Sequence, residues 1–347
     1  MEQNSSVTRS NVEPYMLGAL YGLAVGDALG APYEFQQRRS YIVSGQMEDS
    51  YIFMDEGKPL PAGTWTDDTS NALCLAATLN EKGSLDWKDF AQKLVAWYQN
   101  GYMSCIGYCF DIGNATRTAL STYINILDSS GSQRSKAPEF ELSGSTKPSS
   151  SGNGSLMRLS PIPVFFFYSP AGDALAAAEL QSRVTHSSQM CLESCRLATV
   201  QLIGFMSTSL GSNPLERKTR VLDPEFLLDG LDPNSLRFET REVTALRMGT
   251  WKTKAEEEIK TSGFVIHSHE AALWALWNTS SFEEGMLKLL PLGNDVDTVC
   301  AIYGQFAGAL YGIDAIPVRW RSKLQKRDIL EKEFGTLVRN AINRGHA

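Results

Sequence analysis

Histidine, clustered positive charge and long apolar runs are all scarce in this chain of 347 residues. It has four histidines, and its 32 Lys and Arg against 39 Asp and Glu give a formal net charge of −7 without a long basic block. An acidic chain without a basic patch is a poor match for a nucleic-acid duplex. No run of about 18 apolar residues occurs, which argues against a membrane span. With 43% hydrophobic residues, the chain can bury a substantial core.

Targeting segments are also lacking. Residues 1–14 are polar and have no apolar core, so neither a signal peptide nor a membrane anchor is predicted. A cytoplasmic location is the expectation, on the absence of targeting signals alone, and a monomer is the expected state. The six cysteines include Cys105 with Cys109 and Cys191 with Cys195, a spacing that places both thiols of a pair on one helical face. We expect reduced, buried thiols, and a soft-metal site is the alternative.

Helical periodicity dominates the chain and predicts an all-α fold. Apolar helices of one style continue across two polar stretches, so we predict a single all-α domain over residues 14–345 after a disordered tail over 1–13. The stretch 129–151 is rich in Ser, Gly, Lys and Pro and is predicted to be a flexible surface loop. The stretch 215–247 is predicted to be irregular, and 160–168 is the best candidate for a strand. Helices are predicted over 16–29, 70–81, 86–99, 115–128, 171–185, 190–210, 252–261, 269–278, 282–290, 295–310 and 325–343.

Glycines recur every four residues in the first of these helices, from Gly18 to Gly30. This spacing lets another helix approach closely. The motif Gly-Ala-Leu-Tyr-Gly occurs at 18–22 and again at 308–312. Glycine inside a helix costs up to about 1 kcal/mol relative to alanine, so its repeated use indicates a packing or functional reason. We interpret the two segments as matched, tightly packed core helices that could lie side by side.

Two clusters of acidic and hydroxyl residues, at 66–69 and 294–298, stand at the starts of strongly apolar helical runs. A helix start favours one Asp or Thr as a cap, worth about 0.5–2 kcal/mol, but does not need three or four in succession. If the fold brings both starts together, four carboxylates converge with threonine hydroxyls, and the repulsion between the carboxylates must be cancelled. Hard divalent cations take such oxygen ligands. Capping remains the alternative for either cluster alone, and the pair together predicts a metal site.

Three further acids stand in motifs that could carry chemistry. Asp27 lies near the glycine-rich end of the first helix, and its alternative role is that of a buried acid bonded to a neighbouring helix terminus. Glu34 follows the break at Pro32 and is a candidate acid or base. Asp111 precedes a flexible Ile-Gly-Asn turn before a helix, which it could instead simply cap.

A glycine-rich segment, 152–155, could receive phosphate oxygens. Alternating glycines free backbone N–H groups to face a ligand, although a plain turn is the alternative. Arg158 could pair with a phosphate or with a structural carboxylate, and we favour the carboxylate. His186 falls at a predicted helix break and could point into a cleft or be a satisfied histidine at an interhelix corner. His267 and His269 have no third soft ligand nearby and are interpreted as structural.

Taken in chain order, these motifs resemble those of the ADP-ribosylglycohydrolase family over residues 16–317. The motifs are Gly-Asp-Ala-Leu-Gly-Ala-Pro-Tyr-Glu at 26–34, Gly-Thr-Trp-Thr-Asp-Asp-Thr at 63–69, Phe-Asp-Ile-Gly at 110–113, Gly-Asn-Gly-Ser-Leu-Met-Arg at 152–158, Thr-His at 185–186 and Gly-Asn-Asp-Val-Asp-Thr at 293–298. The resemblance implies a compact orthogonal helical bundle with little or no β structure. It also implies two divalent cations, Mg²⁺ or Mn²⁺, in a cleft that receives ADP-ribose.

Individual roles follow from the same resemblance. The implied metal ligands are Thr66, Asp67, Asp68, Asp295, Asp297 and Thr298. The implied substrate-binding residues are Gly113, Gly152, Asn153, Gly154, Ser155, Met157 and His186. The implied partner is an ADP-ribosylated protein, from which the enzyme releases ADP-ribose.

The segment 110–113 resembles the branch that includes the dinitrogenase reductase-activating glycohydrolase, in which ADP-ribose is removed from arginine and the matching Asp takes part in catalysis. Glu34 occupies the place of a Glu used by the serine-directed branch, so serine remains an alternative to arginine. The same fold could also act on O-acetyl-ADP-ribose, poly-ADP-ribose or a nucleoside conjugate, or have a non-catalytic, crystallin-like role. Breaking the anomeric C–N bond needs a proton for the leaving group and an activated water. We predict that Asp111 transfers the proton and that Glu34 assists in placing the water or a metal.

Overall fold

The computed structural model describes residues 12–129, 142–211 and 213–345. Within these ranges the chain forms fourteen α-helices, and the prediction of an all-α fold with little or no β structure is confirmed. They are α1 Glu13–Gly30, α2 Asp67–Lys82, α3 Trp87–Asn100, α4 Asn114–Ser129, α5 Pro161–Phe165, α6 Ala171–Arg183, α7 Gln189–Met206, α8 Pro214–Val221, α9 Arg241–Arg247, α10 Val265–Trp277, α11 Phe282–Leu289, α12 Val296–Tyr311, α13 Val318–Arg321 and α14 Arg327–Arg344. None of the helices in the described ranges has the length and apolar character needed to cross a membrane.

The centre of the fold is a close antiparallel contact between α1 and α12. Four glycines on one face of α1 meet the backbone of α12, and a Cβ added at any of them would lie only 2.1–2.4 Å from an atom of that backbone. The facing pairs are Gly18 with Gly308, Gly22 with Gly304, Gly26 with Cys300 and Gly30 with Asp297. The interpretation of two tightly packed core helices is therefore confirmed. Because the two helices run in opposite directions, the end of α1 lies against the beginning of α12.

Several sequence predictions of local structure are wrong. The apolar run 160–168 holds the buried helix α5 instead of a strand, because a short apolar run does not distinguish the two and Pro161 suits a first helical position. The range 252–261 forms two 3₁₀ turns with only two fully buried residues, so it lacks the apolar face that would hold a helix. The stretch 215–247, predicted to be irregular, includes most of α8 and all of α9.

One antiparallel hairpin, β1 Ser50–Asp55 with β2 Lys58–Leu60, was not predicted. Residues 1–11 of the predicted tail and 130–141 of the predicted flexible loop lie outside the described residues. From residue 142 onward, the loop segment makes backbone hydrogen bonds to the end of α6 and to the connection after it. The Gly144 N–H donates to the Arg183 carbonyl at 3.3 Å, and the Ser187 N–H donates to the Ser145 carbonyl at 3.1 Å.

The tight contact of α1 with α12 predicts that the Gly22→Ala variant is destabilised. Its new methyl group would meet the Gly304 carbonyl at 2.1 Å, and the helices would have to separate. We expect the free energy of unfolding to fall by about 1–3 kcal/mol, the usual cost of overpacking a core. Urea unfolding followed by circular dichroism measures this. In the matched control Gly172→Ala, the added methyl lies in open space on α6 and should leave stability unchanged or slightly raised. Equal unfolding curves for the two variants would contradict the packing argument.

Candidate active site

Asp27 on α1 caps the beginning of α2. Its fully buried carboxylate accepts hydrogen bonds from the backbone N–H groups of Thr66 at 2.9 Å and Thr69 at 3.0 Å. The hydroxyls of the same two threonines also donate to it, at 2.9 and 2.5 Å. Burial raises the pKa of Asp27 to about 6, against the lowering effect of these bonds. The interpretation of Asp27 as a buried acid bonded to a neighbouring helix terminus is confirmed.

Carboxylates from both predicted clusters meet at the junction of α1, α2 and α12. Oxygen atoms of Asp27, Asp68 and Asp297 lie within 4.8 Å of one another. Oxygen atoms of Glu34, Asp111 and Asp297 form a second group within the same distance. Asp297 belongs to both groups, so the five acids form one continuous acidic cluster. The convergence of the two helix starts, predicted from the sequence, is therefore present.

The acidic cluster has the chemistry of a cation site. Buried oxygen atoms of Glu34, Asp68 and Asp297 have no hydrogen-bond partner in the described part of the chain. Burial and the charges of the neighbouring carboxylates raise the pKa of all three groups well above their usual range. Positive charge at the centre of the cluster would offset both the burial of these oxygens and the repulsion between the carboxylates. Carboxylate oxygens are the ligands that hard divalent cations take. The cluster could therefore hold metal ions.

The other predicted metal ligands surround this cluster. The Thr66 hydroxyl donates a hydrogen bond to the Asp68 carboxylate at 3.2 Å. Asp295 is the N-terminal capping residue of α12, and its carboxylate accepts a hydrogen bond from the side-chain amide of Asn153 at 2.6 Å. Asp67, Asp295 and Thr298 line the adjoining cavity but fall outside both three-carboxylate groups. Asp27, by contrast, was not among the predicted ligands. Its position between two of the α1 glycines that face α12 was the available signal.

Asp111 is carried by a loop that rests on the unpredicted hairpin. The rings of Phe53 and Phe110 pack edge to face with centroids 5.5 Å apart, and the Tyr108 hydroxyl donates to Asp55 at 2.9 Å. Asp111 itself has a left-handed backbone with φ of 50°. Burial and the charges of Asp27 and Asp295 raise its pKa to about 7, while a hydrogen bond from Thr66 lowers it.

A cavity of about 880 Å³ opens beside the acidic cluster. Among the residues that line it are both candidate acids, Glu34 and Asp111, and most of the predicted substrate-binding residues. The latter are Gly113, Gly152, Asn153, Gly154, Met157 and His186. Ser155 is the exception, because its hydroxyl is fully buried behind the loop and accepts a hydrogen bond from Ser182 at 2.8 Å. Lys147 and Phe264 also line the cavity, and no sequence motif singled them out.

The predicted pair of thiols lies on α7 and contacts the glycine-rich segment 152–155. The Cys191 thiol donates to the Gly152 carbonyl at 3.2 Å, and Cys195 lies 3.6 Å from the Ser155 hydroxyl. Both cysteines are buried and free, as predicted. Cys105 and Cys109 are also free, but they lie in the loop between α3 and α4, so the prediction of a shared helical face is wrong for that pair.

Two glycines of the segment leave room for the His186 ring. A Cβ at Gly154 would lie 2.7 Å from the ring carbon Cε1, and one at Gly152 would lie 3.2 Å from Nε2. Arg158, the last residue of the motif, has no carboxylate partner in the described ranges, so that favoured interpretation is wrong. Its buried guanidinium donates instead to neutral oxygens, among them Gln181 Oε1 at 2.9 Å and Thr185 Oγ1 at 2.9 Å.

Comparisons with known proteins agree with this architecture. The family model described as ADP-ribosylglycohydrolase matches residues 8–346. The chain is 36% identical over 317 residues to ADP-ribosylarginine hydrolase Tri1 of Pseudomonas putida, with 91% of this chain and 75% of the relative covered. It is 26% identical over 336 residues to the ADP-ribosyl-[dinitrogen reductase] glycohydrolase of Rhodospirillum rubrum, with 94% and 95% covered.

A solved structure titled ADP-ribosylglycohydrolase-related protein complex superposes with a TM-score of 0.73 at 32% sequence identity. The match covers 96% of this chain and 99% of that one. The family model, the sequence relatives and the fold agree. This chain therefore belongs to the ADP-ribosylglycohydrolase family.

Proposed function

We propose that this protein hydrolyses the N-glycosidic bond between ADP-ribose and an arginine side chain of a modified protein, and that the reaction depends on two divalent cations. The observation that carries the proposal is the position of Asp297, which joins two groups of three carboxylates next to a cavity of about 880 Å³. The similarity to the Pseudomonas relative, an ADP-ribosylarginine hydrolase, supports the choice of arginine.

The proposed cation ligands are the oxygens of Thr66, Asp67, Asp68, Asp295, Asp297 and Thr298, with Asp27 and Glu34 at the same cluster. Mg²⁺ or Mn²⁺, when bound there, supplies positive charge that can engage ribose hydroxyls and lower the pKa of a bound water. The buried oxygens of Asp68 and Asp297, which have no hydrogen-bond partner within the described ranges, fit this role.

Asp111 is the proposed proton donor. Hydrolysis breaks the bond from the anomeric carbon to the arginine nitrogen, and the nitrogen leaves with a proton while the oxygen of water bonds to the carbon. Asp111 lines the cavity and its carboxylate reaches the acidic cluster, so it can hold a proton beside the sugar. Glu34 lies in the same three-carboxylate group and is proposed to orient the water. The segment 152–154, Met157 and His186 are proposed to receive the diphosphate and its ribose.

Serine-linked ADP-ribose is the second candidate substrate. The observation that favours it is Glu34, a buried acid that lines the same cavity as Asp111 and has one oxygen without a hydrogen-bond partner among the residues that the structure describes. The two candidates differ in the leaving atom, which is a nitrogen for arginine and an oxygen for serine.

The proposal predicts that Asp297→Asn abolishes the release of ADP-ribose from an arginine-modified peptide. The amide removes one negative charge from both carboxylate groups and so weakens cation binding at each. Activity and Mn²⁺ binding should fall together, while helicity is retained. Asp314→Asn is the matched control, because Asp314 is exposed in a 3₁₀ turn beyond the other end of α12. Full activity of the Asp297 variant would rule out a metal role for this residue.

Removal of divalent cations is expected to lower thermal stability as well as activity. A ligand that binds only the folded state adds about 2.7 kcal/mol at one hundred times its dissociation constant. Thermal unfolding is therefore expected at a lower temperature in EDTA than in Mg²⁺ or Mn²⁺, with recovery when the cation is restored. Asp297→Asn should lose this dependence and Asp314→Asn should keep it. An unfolding temperature that changes neither with EDTA nor with added cations would argue against a metal site.

Parallel assays on arginine-linked and serine-linked peptides decide between the two substrates. We expect the arginine conjugate to be hydrolysed faster, and Asp111→Asn to lower kcat on it by about 10²–10⁴-fold, the usual contribution of a positioned acid or base. Glu34→Gln should lower turnover while leaving arginine preferred. Faster release from serine, lost mainly in Glu34→Gln, would establish the second candidate instead.

A further inference from the structure

His186 is a buried histidine whose two ring nitrogens face different surroundings. Nδ1 lies 2.8 Å from the hydroxyl oxygen of Thr185, inside the protein. Nε2 lies at the Gly152–Gly154 turn, where the side chain reaches the cavity, and it has no hydrogen-bond partner among the residues described. The nitrogen that carries the hydrogen therefore decides whether His186 offers the cavity a hydrogen-bond donor or an acceptor.

The Thr185 hydroxyl is constrained from its other side by Arg158. Nη2 of Arg158 lies 2.9 Å from Thr185 Oγ1, and a guanidinium can only donate hydrogen bonds. Thr185 must therefore accept this bond, and its own hydroxyl hydrogen needs a different acceptor. Thr185 is 1% exposed, so bulk water does not supply one. In the part of the chain that the structure describes, the other atom within reach is Nδ1 of His186.

Arg158 is fixed in this donating role by its own surroundings. The side chain is fully buried, its guanidinium lies over the Phe90 ring at 4.9 Å, and both Nε and Nη2 donate to oxygens of Gln181 at 2.9 Å. A carboxylate at this position would compete for the guanidinium hydrogens, whereas the neutral oxygens share them with Thr185. The neutral surroundings of Arg158 therefore favour its bond to Thr185.

We propose that Arg158 and Thr185 are positioning residues that fix His186 as the tautomer with hydrogen on Nε2, so that it donates to an oxygen of the bound ADP-ribose. Arg158 donates to Thr185, Thr185 donates to Nδ1, and Nε2–H points to the cavity. This inference rests on the proposed function for the identity of the ligand, but the tautomer is a property of the free protein. Burial and the charge of Arg158 lower the pKa of His186 to about 3, which keeps the ring neutral. A ring fixed in this way serves as a donor and not as a general base.

The tautomer can be read directly by NMR of the ligand-free protein with ¹⁵N-labelled histidine. The chain has four histidines, and the His186 signals are identified by their loss in His186→Gln. In the wild-type protein we expect Nε2 to be the protonated nitrogen and Nδ1 the unprotonated one. Hydrogen on Nδ1, or on both nitrogens at neutral pH, would overturn the proposal. This measurement needs no substrate, so it stands or falls separately from the proposed function.

Variants of Thr185 test the chain of hydrogen bonds from Arg158 through Thr185 to His186. Thr185→Val keeps the shape but cannot donate to Nδ1, so we expect mixed tautomers and about tenfold weaker binding of ADP-ribose in Mg²⁺, as measured by calorimetry. On an arginine-modified peptide, KM should rise more than kcat falls. Thr185→Ser retains the hydroxyl and should restore both the tautomer and the affinity.

Thr199→Val is the matched control for the loss of a buried threonine hydroxyl. Thr199 is fully buried on α7 and donates to the Cys195 carbonyl at 2.8 Å, away from the cavity. This variant should share any loss of stability but keep the wild-type tautomer and affinity. A purely structural role for Thr185 would be shown by equal loss of stability in the two valine variants with an unchanged His186 tautomer and unchanged binding in both.

Discussion

The close contact between α1 and α12 is the constraint on which the acidic cluster depends. Backbones approach this closely only where side chains are absent, and glycine supplies that absence every fourth residue on α1. At its end, the contact places Gly30 against Asp297. Because Asp27 is one turn before Gly30, the same packing delivers its carboxylate to the start of α12 and to Asp68. The packing of the two helices and the convergence of the carboxylates are therefore set by one alignment.

Electrostatic repulsion is concentrated at the junction of α1, α2 and α12, where the close contact between α1 and α12 ends. Two charges in a low-dielectric interior repel far more strongly than in water, and here five carboxylates share one region. Part of this repulsion is offset by protein groups, since the Asp27 carboxylate accepts hydrogen bonds from the backbone N–H groups and hydroxyls of Thr66 and Thr69 at the start of α2. Asp68 and Asp297 each retain a buried oxygen without a partner among the described residues. This contrast separates an acid whose hydrogen bonds are supplied by the fold from acids whose oxygens could hold a cation.

Much of this arrangement could be read from the sequence, for identifiable reasons. Helix starts have strong local signals, so the two acidic clusters and the glycine spacing were visible without a structure. The hairpin at 50–60 was missed because two short strands carry little periodic signal. The inward direction of the Ser155 hydroxyl and the neutral partners of Arg158 depend on side chains from distant segments, such as Ser182 and Gln181. Local patterns contain no information on such contacts.

The hairpin has a consequence for how the site could diverge among relatives. The carboxylates of α1, α2 and α12 are mounted on core helices, where any shift would disturb the whole interior. Asp111, in contrast, is held through ring contacts with a small surface element at the periphery. Changes in that element can re-aim the acid without touching the buried framework. The position of this acid and the integrity of the helical framework therefore depend on separate parts of the molecule.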